Sequence, residues 1–79
     1  METIQVWRKD ADPSSTTPLG TGKGTYDKKA ATATIQTWTD PAALMVDTEY
    51  KLKIGRKFYA AVGATRQTTP PVATFRDVE

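Results

Sequence analysis

The sequence predicts an all-β fold, either a small antiparallel β-sandwich or an open barrel of about five strands. Several short segments alternate apolar and polar residues with the period of two that is typical of half-buried strands. Stretches rich in Gly and Pro separate these segments and favour turns or loops between them. The chain has 79 residues, which predicts a single domain over residues 1–79 with a thin core.

The strongest pattern lies in residues 47–64, which predict a β-hairpin. Two turns are compatible with it. A two-residue loop, Gly55-Arg56, suits a type II′ turn because Gly tolerates a positive φ at the first loop position, but it leaves apolar residues on both faces. A three-residue loop that adds Lys57 pairs Ile54 with Phe58 and gathers the strongly apolar side chains on one face. Because register decides which side chains are buried, we favour the three-residue loop.

With that loop, the outer face of the hairpin is basic and aromatic, and its members are Lys51, Lys53 and Tyr59, with Arg56 and Lys57 at the tip. Such a face can neutralise phosphates and stack on a base. A two-residue loop would move Tyr59 to the other face and dissolve the patch. A lysine-rich outer face is also typical of a plain solvated sheet.

The two tryptophans complete the candidate contact residues. Trp7 and Trp38 both fall on the polar side of a predicted strand. Tryptophan is frequent among the residues that dominate binding energy at interfaces. The alternative interpretation of each is an aromatic side chain buried at the rim or end of a thin core.

The other elements are predicted in chain order, as a strand over 3–9, a long flexible loop over 10–29, a strand over 30–39, a helical turn within 41–46, a loop over 63–71 and a strand over 72–78. The loop is predicted from its Gly, Pro and hydroxyl content. Its segment Gly20–Thr25 lacks the spacing of a Walker A phosphate loop.

Asp40-Pro41 is a helix-start signal, with an extended connection as the alternative. The last strand is expected to be an edge strand or an arm that joins a neighbouring sheet.

Alternation also predicts which side chains of these elements share a face. In the strand over 30–39, Ala31, Ala33 and Ile35 are expected to share one face, and Trp38 is expected to lie on the other face with the threonines. Leu44 and Met45 are expected to face the core. In the last strand, Ala73 and Phe75 share a face, and Val72 and Val78 share the other.

The composition argues against an enzyme. The chain contains neither Cys nor His, which excludes thiol nucleophiles, histidine bases and the usual structural zinc sites. Asp10, Asp12 and Asp27 bracket the long loop, but turn formation explains them better than catalysis. We therefore predict no catalytic residue, no cofactor and no metal.

Charge and hydropathy limit the partners and the location. The net charge of +2 is too small to indicate nucleic acid by itself. No apolar run suits a signal peptide or a membrane span. We expect a protein that is cytoplasmic when synthesised or part of a virion, and not secreted by a signal peptide.

The strands are rich in Thr and Ala, which favours a subunit of an assembly. This composition resembles that of small virion proteins of tailed phages, such as head decoration, head–tail joining or tail components. The resemblance implies a non-enzymatic structural role that acts through contacts with other protein subunits, either copies of itself or different chains. The alternative is a small β-barrel module that binds nucleic acid with the basic hairpin face.

Overall fold

A computed structural model describes residues 1–79 and confirms the all-β prediction. Six antiparallel strands form a closed barrel in the order β1-β2-β3-β6-β5-β4, one strand more than the sequence suggested. Because the sheet closes on itself, every strand has a neighbour on each side. The elements are β1 (Glu2–Arg8), β2 (Gly20–Asp27), β3 (Thr32–Ile35), a 3-10 turn (Pro41–Ala43), β4 (Glu49–Ile54), β5 (Lys57–Thr68) and β6 (Pro71–Arg76).

The barrel consists of two three-stranded meanders that join along both sides. Strand β1 pairs with β4, placing Val6 opposite Leu52, and β3 pairs with β6, placing Ala33 opposite Phe75. Strand β6 also pairs with β5 and is therefore flanked on both sides. The prediction that the last strand is an edge strand or an arm was wrong.

Alternate side chains of the strands fill the barrel, as the period-two pattern predicts. The fully buried set includes Ile4, Val6, Ala33, Ile35, Leu52, Ala73 and Phe75. Phe75 contacts two other aromatic rings, stacking on Trp38 with centroids 5.9 Å apart and meeting Tyr50 edge-on at 5.7 Å. Offset and edge-on ring pairs of this kind are favourable packing geometries.

Strand β2 occupies residues that the sequence predicted as loop, so that prediction was wrong for residues 20–27. Gly20, Gly22 and Gly24 alternate with exposed residues and lie on the inner side of the strand. A Cβ atom on Gly20 would lie 1.7 Å from Nε1 of Trp38, and one on Gly24 would lie 2.0 Å from the carbonyl oxygen of Thr34. These glycines leave room for other groups and do not break the strand.

The strand predicted over 30–39 is shorter than expected, because β3 ends at Ile35. The chain then bends, with the amide of Gln36 donating to the carbonyl oxygen of Lys23 and Oγ1 of Thr37 accepting from the amide of Lys23. The bend turns Trp38 into the barrel, where it is 1% exposed. Its predicted placement on the outer polar face was therefore wrong.

The predicted helical turn within 41–46 is present. A single 3-10 turn spans Pro41–Ala43, and the Asp40 side chain makes no capping hydrogen bond. Leu44 is buried as expected, whereas Met45 is 53% exposed. No helix in the chain has the length and apolar character needed to cross a membrane.

The end of the chain is part of the barrel. Strand β5 runs through most of the predicted loop over 63–71, with a bulge between Gly63 and Thr65. A positive φ of 53° at Asp77 then redirects the chain, so Val78 is buried together with Ala73 and Phe75. The predicted separation of Val78 from these two residues was wrong because the strand ends at Arg76.

Candidate functional site: the basic aromatic face of the hairpin

The β4–β5 hairpin has the two-residue loop, so the favoured three-residue loop was wrong. Leu52 pairs with Tyr59, and Lys53 pairs with Phe58. Gly55 has a φ of +63°, and Arg56 is not among the residues with positive φ. A positive φ at the first loop position alone is what a type II′ turn requires. The turn geometry therefore outweighed the tendency to gather all apolar side chains on one face.

This register exchanges the positions of two neighbouring aromatic residues. Phe58 lies on the outer face and is 52% exposed. Tyr59 lies on the inner side, packs against the core and contacts the ring of Tyr26 at a centroid distance of 5.2 Å. Tyr59 thus leaves the predicted patch, and Phe58 takes its place beside the lysines of β4. The suitability of Gly55 for a type II′ turn was the sequence signal that could have identified Phe58.

Two lysines of β4 lie beside Phe58, and two further cations lie at the tip of the hairpin. Nζ of Lys53 lies 5.7 Å from the centroid of the Phe58 ring, a distance at which an ammonium is attracted to the ring face. Nζ of Lys51 donates to the carbonyl oxygen of Ala11 at 3.1 Å. Arg56 and Lys57 are exposed at the tip. We call these five residues, Lys51, Lys53, Arg56, Lys57 and Phe58, the hairpin surface.

None of these four cations is in an ion pair. The ion pairs of the protein join Lys9 to Glu49 and Arg76 to Asp47 and Asp77. The Lys9–Glu49 contact, at 2.9 Å, raises the pKa of Lys9, mainly through the hydrogen bond with the Glu49 carboxylate. The positive charge of the hairpin surface is therefore available to an anion from outside the chain.

Phe58 lines three open clefts. One of them, of about 320 Å³, is also lined by Asp12, Pro13, Ser14 and Lys51, and two more adjoin the ring. One has a volume of about 240 Å³, and its other lining residues are Lys9, Tyr50, Lys51, Tyr59 and Ala60. The other has a volume of about 340 Å³, and its other lining residues are Gln5, Trp7, Pro13, Ser14, Thr16, Pro18 and Lys53. Phe58 therefore forms a ridge that adjoins several concave regions, each of which has a lysine in its wall.

Trp7 packs against Phe58. It is 4% exposed, and its ring centroid lies 6.1 Å from that of Phe58. Its Nε1 donates to the carbonyl oxygen of Thr16 at 3.1 Å, so the segment between β1 and β2 covers its outer side. Trp7 thus lies next to the hairpin surface without being exposed on it. Trp38, inside the barrel, lies on a different side of the sheet and does not join the other predicted contact residues.

Asp12 fixes the segment that covers Trp7. Its carboxylate accepts hydrogen bonds from the Ser14 hydroxyl at 2.8 Å and from the Ser14 amide at 3.0 Å. These two bonds, the hydroxyl first, lower the pKa of Asp12, and the charge of Lys51 contributes a little further. Asp27 similarly accepts from the amides of Lys29 and Ala30. Both aspartates therefore have the turn-forming role that the sequence suggested.

An exposed ring among unpaired cations can stack on a planar group and neutralise negative charge at the same time. The structure places Lys51 and Lys53 of β4 beside Phe58. Lys57 pairs with Ile54 and so lies on the opposite side of β5 from Phe58, and it shares with Arg56 the exposed tip of the hairpin. No protein-family model, curated protein or solved structure matches this chain.

Proposed function

We propose that this protein is a non-enzymatic interaction protein that takes part in an assembly and binds an anionic partner through the hairpin surface. The observation that carries this proposal is the register of the β4–β5 hairpin. It leaves Phe58 half exposed while the smaller Ala61 is buried. A local exception to apolar burial in an otherwise consistent fold is typical of functional sites.

The charge of the surface determines which kind of partner suits it. Lys51, Lys53, Arg56 and Lys57 have no carboxylate within ion-pair distance. If two copies met through this same face, like charges would lie opposite one another, which is unfavourable. The proposed partner is therefore a different, anionic molecule, and any contact between copies of the chain would use another face.

The role within the assembly is proposed from the composition. Strands rich in Thr and Ala suit a subunit of a larger particle, and a virion component is the specific form of this proposal. The closed barrel is compatible with such a role, because a sheet in which every strand has two neighbours offers few free edges for edge-to-edge aggregation at high local concentration.

Retention on a heparin column tests the proposed anion-binding surface. A variant with Lys53→Gln and Lys57→Gln is compared with a control with Lys28→Gln and Lys29→Gln, which removes the same charge from the exposed β2–β3 turn. We expect the hairpin variant to elute at lower salt than the control, because only the hairpin cations belong to the binding surface. Equal elution of the two variants would contradict the proposal.

A further inference from the structure

We infer that the anionic partner is single-stranded nucleic acid and that Phe58 stacks on one of its bases. This inference rests on the proposed function, since it names the partner of the same surface. It predicts a base-dependent contribution to binding that heparin, which has no bases, cannot show. The argument uses the exposure of Phe58, the support beneath it and the clefts beside it.

Phe58 is both accessible and held in place. Phe58 is 52% exposed. The centroid of its ring lies 6.1 Å from that of the Trp7 ring, with the two ring planes tilted by 48°. Nζ of Lys53 lies 5.7 Å from the same Phe58 centroid. A ring that is already ordered loses little freedom when a ligand stacks on it. Stacking of a base on an aromatic side chain tolerates any sequence, because every base has a flat face.

The surroundings of the ring suit the phosphates and the neighbouring nucleotides. Lys51 and Lys53 lie on the same face of β4, about 7 Å apart along the strand. Each lines a cleft beside Phe58, Lys51 one of about 240 Å³ and Lys53 one of about 340 Å³. A base on Phe58 would therefore have space for a nucleotide on each side, with a lysine near each of them.

These features favour a single strand over the other anionic partners. A duplex hides the faces of its bases within the stack, so it has none to offer to Phe58. An acidic protein segment supplies negative charge for the cations, but its carboxylates do not match an exposed aromatic ring. A single strand therefore matches the surface best, because its unpaired bases can stack on Phe58 and its phosphates can contact the cations.

The test is fluorescence anisotropy with a labelled 20-nucleotide oligo-dT and an abasic strand of the same length, which has the same phosphates without bases. We expect oligo-dT to bind roughly tenfold more tightly than the abasic strand. Phe58→Ala should abolish this difference, Phe58→Trp should preserve it, and Met45→Ala, which trims another exposed apolar side chain, should leave it unchanged. Lys53→Gln should weaken binding of both strands and reduce the salt dependence by about one phosphate contact.

The anisotropy and heparin experiments together distinguish failure of the nucleic-acid inference from failure of the proposed function. Equal affinity for oligo-dT and the abasic strand, or a preference for duplex DNA, would overturn the nucleic-acid inference. If the heparin result still separated the hairpin variant from its control, the proposed function would stand and an acidic protein would become the partner. If the heparin experiment also failed, both proposals would fall.

Discussion

At the scale of single residues, the burial of Trp38 depends on a glycine that has no side chain. The indole is 1% exposed and lies where a side chain on Gly20 would otherwise be, since a Cβ there would approach Nε1 to 1.7 Å. The indole of Trp38 therefore occupies the space that the absence of a side chain on Gly20 leaves open. Neither residue predicts this role alone, because glycine favours loops and an isolated tryptophan suits either a core or an interface.

Gly20→Ala should destabilise the protein by about 1–3 kcal/mol, because an added methyl group in a filled core forces neighbouring side chains out of position. Chemical denaturation monitored by tryptophan fluorescence measures this loss. Thr21→Val, on the exposed side of the same strand, is the control and should change stability by at most about 0.5 kcal/mol. A similar loss in both variants would indicate a general effect on the strand and not contact with Trp38.

Asp12 predicts a specific pH dependence. Hydrogen bonds from Ser14 lower its pKa in the folded state, so ionised Asp12 stabilises the fold. This contribution is complete above the usual aspartate pKa of about 3.9 and disappears as the pH falls through the lower folded value. We expect Asp12→Asn to be less stable than the wild type at pH 7, and the difference in melting temperature to shrink as the pH falls below about 4. A difference that stays constant down to about pH 2 would exclude this linkage.

At the scale of elements, the β4–β5 hairpin determines the candidate site. Two local preferences compete there, since the alternating pattern favours a three-residue loop and Gly55 favours a two-residue loop. The observed register satisfies the turn and leaves Phe58 outside. A shift of a single residue would bury Phe58 and expose Tyr59. The chemistry of this surface therefore follows from the conformation of one glycine.

Gly55→Ala should destabilise the hairpin by about 1–2 kcal/mol, because a φ of +63° places a Cβ atom too close to the backbone. Arg56→Ala is the matched control, since Arg56 does not require a positive φ, and it should change stability little. Thermal unfolding followed by circular dichroism compares the two variants. An equal melting temperature for both would show that the turn does not depend on glycine.

Alternation predicted that Ala73 and Phe75 share a face of β6, and both lie in the core. Large apolar side chains such as Leu52 and Phe75 carry a clear hydropathy signal. The same pattern in β2 was missed because its inward positions are glycines, which have no hydropathy signal. The position of Trp38 depends on a bend after Ile35 that the local sequence does not reveal. The cationic part of the hairpin surface was predictable, whereas Phe58 depended on the choice of loop.

At the scale of the whole molecule, residues 78 and 79 add hydrogen bonds between parts of the barrel that are distant in sequence. The amide of Ala60 donates to the carbonyl oxygen of Glu79 at 2.8 Å. In return, the amide of Glu79 donates to the carbonyl oxygen of Ala60 at 2.9 Å. The amide of Val78 donates to the carbonyl oxygen of Ala31 at 3.0 Å, and its own carbonyl oxygen accepts from the Tyr26 hydroxyl. These residues thus join β5 to the β2–β3 hairpin. They belong to the cooperative core and are not a detachable arm.

Val78→Ala should consequently cost about 2 kcal/mol, since it removes two methyl groups from a side chain that is 2% exposed. In a domain of this size, such a loss lowers the melting temperature by on the order of 10 °C. Val46→Ala makes the same chemical change at a side chain that is 52% exposed and should shift stability by at most about 0.5 kcal/mol. Urea unfolding should show the loss as a lower midpoint with an unchanged slope, because the barrel still unfolds as one unit. If the two valine variants were equally stable, residues 77–79 would be an appendage, and β5 would not depend on them for its pairing.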